Sequence, residues 1–145
     1  MGNTEALVVR LAGNRRVEAE VGGHTVRTDQ PADNGGEDTA PTPFQLFLAS
    51  LGTCAGIFVQ GFCAKRGIPF EQITLRQRMS YGEDGALASV DLEIELPEDF
   101  PEKYREAVIK VVEQCSVKRA IAAQPKLSVR TMVMLGDGKQ SGADR

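Results

Sequence analysis

The sequence predicts an α+β domain in which antiparallel sheet is covered by helices, and three observations lead there. Short alternating strands punctuated by glycine turns fill the first thirty residues. A long uncharged stretch with a helix-start signal follows, and then two alternating strands, an amphipathic helix and a last strand. The order of three strands, helix, two strands, helix and strand separates strand runs from helices, the pattern of an antiparallel sheet packed on one side by helices. Its 145 residues suit one domain, and 41 % hydrophobic content is enough for a sizeable core.

The meander reads Ala6 to Ala12, a Gly13-Asn14 turn, Arg15 to Val21, a Gly22-Gly23 turn, and His24 to Thr28. Two-residue turns of this composition suit tight hairpins. Residues 29–41 carry many breakers and no periodicity, so they are read as a surface loop.

The long helix is expected to begin at Thr42 or Pro43. The Thr42 hydroxyl can accept from a free amide of the first turn, and Pro43 gives up only an N–H that had no partner. From Pro43 to Ala64 there is no charged residue, and apolar residues fall on every side of the helix instead of in one stripe. Such a helix must be surrounded. Its 22 residues reach the roughly 20 a bilayer needs, but Gln45, Ser50, Thr53, Gln60 and the glycines at 52, 56 and 61 suit a buried helix better than a membrane span. No cationic start with a short apolar core and cleavage site stands at the N-terminus, so the chain is read as soluble and cytoplasmic.

Lys65, Arg66 and Gly67 supply cations and a stop at the negative helix end. Beyond them Ile73, Leu75, Gln77, Met79 and Tyr81 alternate with Thr74, Arg76, Arg78 and Ser80. Past the turn at 82–85, Val90, Leu92, Ile94 and Leu96 alternate with Asp91, Glu93 and Glu95, placing arginines across from acids on the wet face of a hairpin. A second helix is expected from about Pro101 to Gln114, with Tyr104, Val108, Val111, Val112 and Cys115 on one face. A strand from Leu127 to Leu135 ends the fold, and residues 136–145 are expected to form a disordered tail. The whole of 1–145 is read as one domain.

Composition removes several functions. The net charge of -3 with scattered Lys and Arg gives no support to nucleic-acid binding. Three cysteines at spacings of 9 and 52 contain no Cys-x-x-Cys pair, and His24 is the sole histidine, so neither a disulfide scaffold nor a zinc site is indicated. Cys54, inside the uncharged helix, is either inert core or a reactive centre. Cys63 lies on the opposite face of the same helix, where it cannot bond Cys54 and reads as packing.

The run Pro43-Phe-Gln-Leu-Phe-Leu-Ala-Ser-Leu-Gly-Thr-Cys54, with Cys115-Ser-Val-Lys-Arg119 some sixty residues on and a strand after it, resembles the OsmC/Ohr family of osmotically inducible and organic hydroperoxide resistance proteins. The likeness in element order runs over roughly residues 5 to 135. It implies an α+β protomer intertwined with a second copy into a homodimer, the cysteine-bearing helices packing at its centre. It also implies active sites at the subunit interface that use a peroxidatic cysteine, a resolving cysteine, an arginine and a glutamate. By the resemblance Cys54 is the peroxidatic and Cys115 the resolving position, and Arg15 or Arg16 lies nearest the family's arginine. The thiolate attacks the peroxide, the second cysteine condenses the sulfenic acid into a disulfide, and an external dithiol, typically a lipoyl group, restores the thiols. No bound cofactor or metal is implied.

Two positions depart from the family pattern. Phe44 stands where the glutamate of the peroxidases is expected, and Ser116 where proline follows the second cysteine. Because Cys54 lies beyond the first helical turn, apolar burial would raise its pKa, so the peroxidase reading asks for a nearby cation, Arg15, Arg16 or an arginine of the partner chain. Phe44, Phe47, Leu51 and Phe58 are candidates to line a pocket for a hydrophobic peroxide. Two functions follow: a thiol-dependent peroxidase of organic hydroperoxides in oxidative or osmotic stress, or a non-catalytic dimer binding a small apolar or thiol ligand at the interface.

Overall fold

A computed structural model describes residues 2–136 and 140–144. The seven strands among the described residues form three separate antiparallel sheets beside one long helix. The first sheet is the meander β1 (Val8–Gly13), β2 (Arg16–Val21) and β3 (His24–Thr28), in that order across the sheet. The Gly22-Gly23 turn falls where the sequence predicts it, whereas the first turn lies one residue later than expected, at Asn14-Arg15, with Gly13 ending β1 and a register irregularity between Leu11 and Gly13 leading into it.

The segment from 29 to 41, read in the sequence as plain surface loop, is held by a buried acid. Asp29 accepts from the Gln30 amide at 2.8 Å, the Thr39 amide at 3.0 Å and the Thr39 hydroxyl at 2.6 Å. These donors hold its carboxyl at a pKa of about 2, led by the Thr39 hydroxyl. One turn of 3-10 helix (Ala32–Asn34) fits inside the closed loop. Gly36 is required there, because a Cβ would sit 1.9 Å from the Gln30 carbonyl oxygen.

Helix α1 (Pro43–Lys65) starts with a reciprocal cap. The Gln45 amide donates to the Thr42 hydroxyl at 3.1 Å, and the Gln45 side chain accepts from the Thr42 amide at 2.9 Å. It ends at Gly67, whose φ of 64° turns the chain, with Gly67 N–H donating to Ala64 O at 3.3 Å and Ile68 N–H to Cys63 O at 3.0 Å. The same turn drives Ile68 into the core beside Cys63.

Strands β4 (Thr74–Tyr81) and β5 (Leu87–Glu95) form the expected hairpin, with Arg76 opposite Glu93 and Arg78 opposite Asp91. The ion pairs run diagonally, Arg76 to Glu95 at 2.9 Å and Arg78 to Glu93, on the wet face. Being exposed, such pairs are worth only about 0.2–1 kcal/mol each and serve register.

The second helical region differs from the expected single helix. A 3-10 turn (Glu102–Tyr104) leads into α2 (Arg105–Val112), the chain breaks at 113–115, and a third helix, α3 (Ser116–Ala122), follows. Cys115 is therefore the residue that starts α3, not one at the inner edge of a helix running to 114. Extended backbone at Cys115 ends the α2 geometry, and its sulfur accepts from the Lys118 amide at 3.5 Å. The last strand, β6 (Arg130–Met134), is shorter than the expected Leu127–Leu135. It pairs with β7 (Gln140–Asp144), so this part of the expected disordered tail is a strand, its backbone groups satisfied by the ladder even though its composition offers little to bury. The remainder of that tail, 137–139 and 145, lies outside the described residues.

The core joins the second half of α1 to α2 and the hairpin. Val59, Phe62, Cys63, Ile68, Phe100 and Val108 are buried together, with Ile73, Ile94, Tyr104 and Val112 packed against them. Arg66 covers this core by laying its guanidinium 3.6 Å from the Phe62 ring centre, and Phe62 meets Tyr104 edge-on at 5.7 Å. By length and composition α1 could cross a membrane, yet within the chain it packs along α2, α3 and β4. Phe44, Phe47 and Ile57 remain exposed on it, as do Leu11 of β1 and Met134 of β6.

Candidate functional site

Cys54 sits at mid-length of α1, half-buried, on the side where α3 crosses the helix. The break after α2 creates this meeting: it turns Cys115 and the first residues of α3 toward α1. The Cys54 Sγ and the Ser116 Oγ lie 3.8 Å apart, and Cys115, 2 % exposed, completes the cluster. All three cysteines are free thiols.

This neighbourhood lowers the pKa of Cys54. The Cys115 thiol contributes most, followed by the Val117 amide, with the hydroxyl and amide of Ser116 adding less; burial pushes the other way and loses. Within the chain the groups that act on the Cys54 thiol are neutral donors, not the cation the sequence asks for. Neutral donors from the start of α3 favour the ionised form, because a thiolate accepts hydrogen bonds more strongly than a thiol does. Cys63, by contrast, is buried among apolar side chains and its pKa is raised, with Arg66 only partly offsetting the burial.

The two arginines named from the sequence lie elsewhere in the chain. Arg16 pairs with Glu37 at 3.2 Å, and the Arg15 side chain runs beside Gly35, so both lean on the 32–37 loop. Neither is among the groups acting on the Cys54 thiol.

A groove of about 800 Å³ opens between β5 and the three helices. Phe47 and Leu51 line it as expected, together with Leu92, Val108, Val112 and Cys115, while Arg105, Glu113 and Lys118 also border it. Phe44 and Phe58 are not part of its lining. Phe44 is exposed and leans on Phe47 with ring centres 5.8 Å apart. Among the described residues no group of His, Cys, Asp and Glu is arranged to hold a metal ion.

Sequence reasoning missed Ser116 and Val117 as site residues, since it ended the second helix at 114 and treated what followed as connection. A signal was present: apolar Val117, Ala120 and Ile121 recur at helical spacing directly after Cys115.

Fold and site together define a two-cysteine α+β protein whose thiols meet where two helices converge. The chain belongs to the OsmC-like protein family, whose model matches residues 35–130 and so takes in both cysteines. Among solved structures it is similar to a candidate osmotic stress induced and detoxification response protein of Psychrobacter arcticus, with 19 % identity, 83 % of this chain and 90 % of that one covered, and a TM-score of 0.68. An OsmC like protein of Mycoplasma pneumoniae shares 14 % identity over 86 % of this chain and 91 % of that one, with a TM-score of 0.65. An organic hydroperoxide resistance protein of Elizabethkingia anophelis, holding thiocyanate, shares 18 % identity over 86 % and 93 % respectively, with a TM-score of 0.55. At these identities the likeness speaks to the fold. No curated relative matches the chain.

Proposed function

We propose that the protein is a thiol-dependent peroxidase that reduces organic hydroperoxides. The observation that carries the reading is the Cys54 thiol, 3.8 Å from the Ser116 hydroxyl and with its pKa lowered most by the neighbouring Cys115 thiol. The Cys54 thiolate attacks a peroxide oxygen, the O–O bond breaks, and the alcohol leaves after taking a proton. Cys54 is left as a sulfenic acid. The Cys115 thiol displaces its hydroxyl as water, forming the Cys54–Cys115 disulfide, and an external dithiol returns both thiols at the cost of its own oxidation. The apolar groove beside Cys115 suits a hydrophobic reactant.

A homodimer is part of this proposal. Exposed Phe44, Phe47 and Ile57 on α1, Val8, Val9 and Leu11 on β1, and Met132 and Met134 on β6 form apolar surface that a second copy would cover. Arginine support for Cys54 would then come from the partner chain. We place the protein in the cytoplasm, where thiols are kept reduced.

One observation favours the second reading, a non-catalytic binding protein. Phe44 replaces the glutamate expected from the family resemblance, and the next polar side chain, Gln45, is occupied by the Thr42 cap. The deciding experiment is consumption of an organic hydroperoxide by the reduced protein with a dithiol recycling system, comparing wild type with Cys54→Ser and Cys115→Ser. Fast consumption abolished by Cys54→Ser upholds the peroxidase; equal slow rates in all three leave the binding protein.

A further inference from the structure

Ser116 is the residue at the site that no expectation assigned. Its hydroxyl stands 3.8 Å from the Cys54 sulfur, within reach of a hydrogen bond to sulfur, and it belongs to the same tight turn that positions Cys115. In the neutral pair either group can donate. Once Cys54 ionises the sulfur has no proton left, and only the Ser116 hydroxyl can donate, so the contact is strengthened in the thiolate form and weakened in the thiol form.

We propose that Ser116 is a catalytic residue of this site, its hydroxyl donating to the Cys54 sulfur and holding it as the reactive thiolate. The proposal deepens the peroxidase reading and rests on Cys54 being the nucleophile. Two features of the geometry support it. Ser116 is exposed, so its side chain is not spent on packing. No other hydrogen bond engages its hydroxyl among the described residues.

The test is the pH dependence of Cys54 alkylation by iodoacetamide, followed on the Cys54 peptide by mass spectrometry in wild type, Ser116→Ala and Ser116→Thr. Alkylation needs no peroxide and no reductant, so its outcome is independent of whether the protein turns over hydroperoxides. Expected is a midpoint displaced to higher pH in Ser116→Ala, with Cys54 alkylated about threefold more slowly below the midpoint, what a hydrogen bond at the weak end of the net range provides. Ser116→Thr, which keeps the hydroxyl, should retain the wild-type midpoint. An unchanged midpoint in Ser116→Ala overturns the proposal. So does an equal displacement in both variants, or a change in plateau rate alone, since either would show that Ser116 acts by shape or access and not through its hydroxyl. Ser116→Gly provides a second hydroxyl-free variant should alanine alter the start of α3.

Discussion

Oxidation of the protein should make it markedly harder to unfold. A Cys54–Cys115 disulfide would close a loop of about 60 residues, and constraining the unfolded chain by a loop of that length stabilises the native state by about 4 kcal/mol. Part of this is lost, because Cys115 now starts α3 by accepting from the Lys118 amide at 3.5 Å, and giving up a helix cap costs about 1 kcal/mol. About 3 kcal/mol remains. With a urea slope near 2 kcal/mol per molar, typical of a small domain, the unfolding midpoint should rise by about 1.5 M. The assay is urea unfolding followed by circular dichroism at one fixed protein concentration, comparing protein kept in reductant with protein treated with one equivalent of an organic hydroperoxide. In Cys115→Ser the difference should vanish. Midpoints that coincide in wild type, with the disulfide verified by mass, would refute the reasoning, for the loop would then be constraining nothing that unfolding releases.

Other outcomes follow from single side chains. Asp29 has its folded-state pKa lowered to about 2, so its contribution to stability is complete above the ordinary carboxylate pKa and is lost as pH falls through about 2; thermal melts from pH 5 down to pH 2 should show an acid-dependent loss that Asp29→Asn diminishes. Val108 is fully buried against α1, and Val108→Ala removes two methyl groups from a site with little freedom to collapse, costing about 2–3 kcal/mol by urea titration. Cys63, whose thiol burial pushes up in pKa, should remain unlabelled by limiting iodoacetamide at pH 8 while Cys54 reacts, as peptide mass mapping of the native protein would read.

Most of the fold was legible because its signals are local. The Gly22-Gly23 turn, the Thr42-Pro43 start and the Gly67 stop each act through a local backbone preference and appear where the sequence puts them, while the first turn falls one residue later than expected, at Asn14-Arg15. Local rules gave less at 113–123. Cysteine is a poor advertisement for a helix start, and a seven-residue helix offers too few turns for its periodicity to stand out. β7 was illegible for a related reason: its ladder is made by backbone hydrogen bonds to β6, and such bonds leave no trace in hydropathy. At the site, both cysteines could be singled out from the sequence, but not what lowers the pKa of Cys54. That depends on a contact between residues 54 and 116, which only the turn after α2 brings about.

The separateness of the three sheets bears on how the chain acquires its shape. Among the described residues every strand pairs with a strand next to it in sequence, so this sheet can form by closing local hairpins, each a fast event with little chain to organise. The contacts of α1 with α2 and α3 instead join residues much farther apart in the chain, the kind of contact that slows folding. Cys54 and Cys115 meet only through that docking, so the candidate site exists only where the helices have found each other.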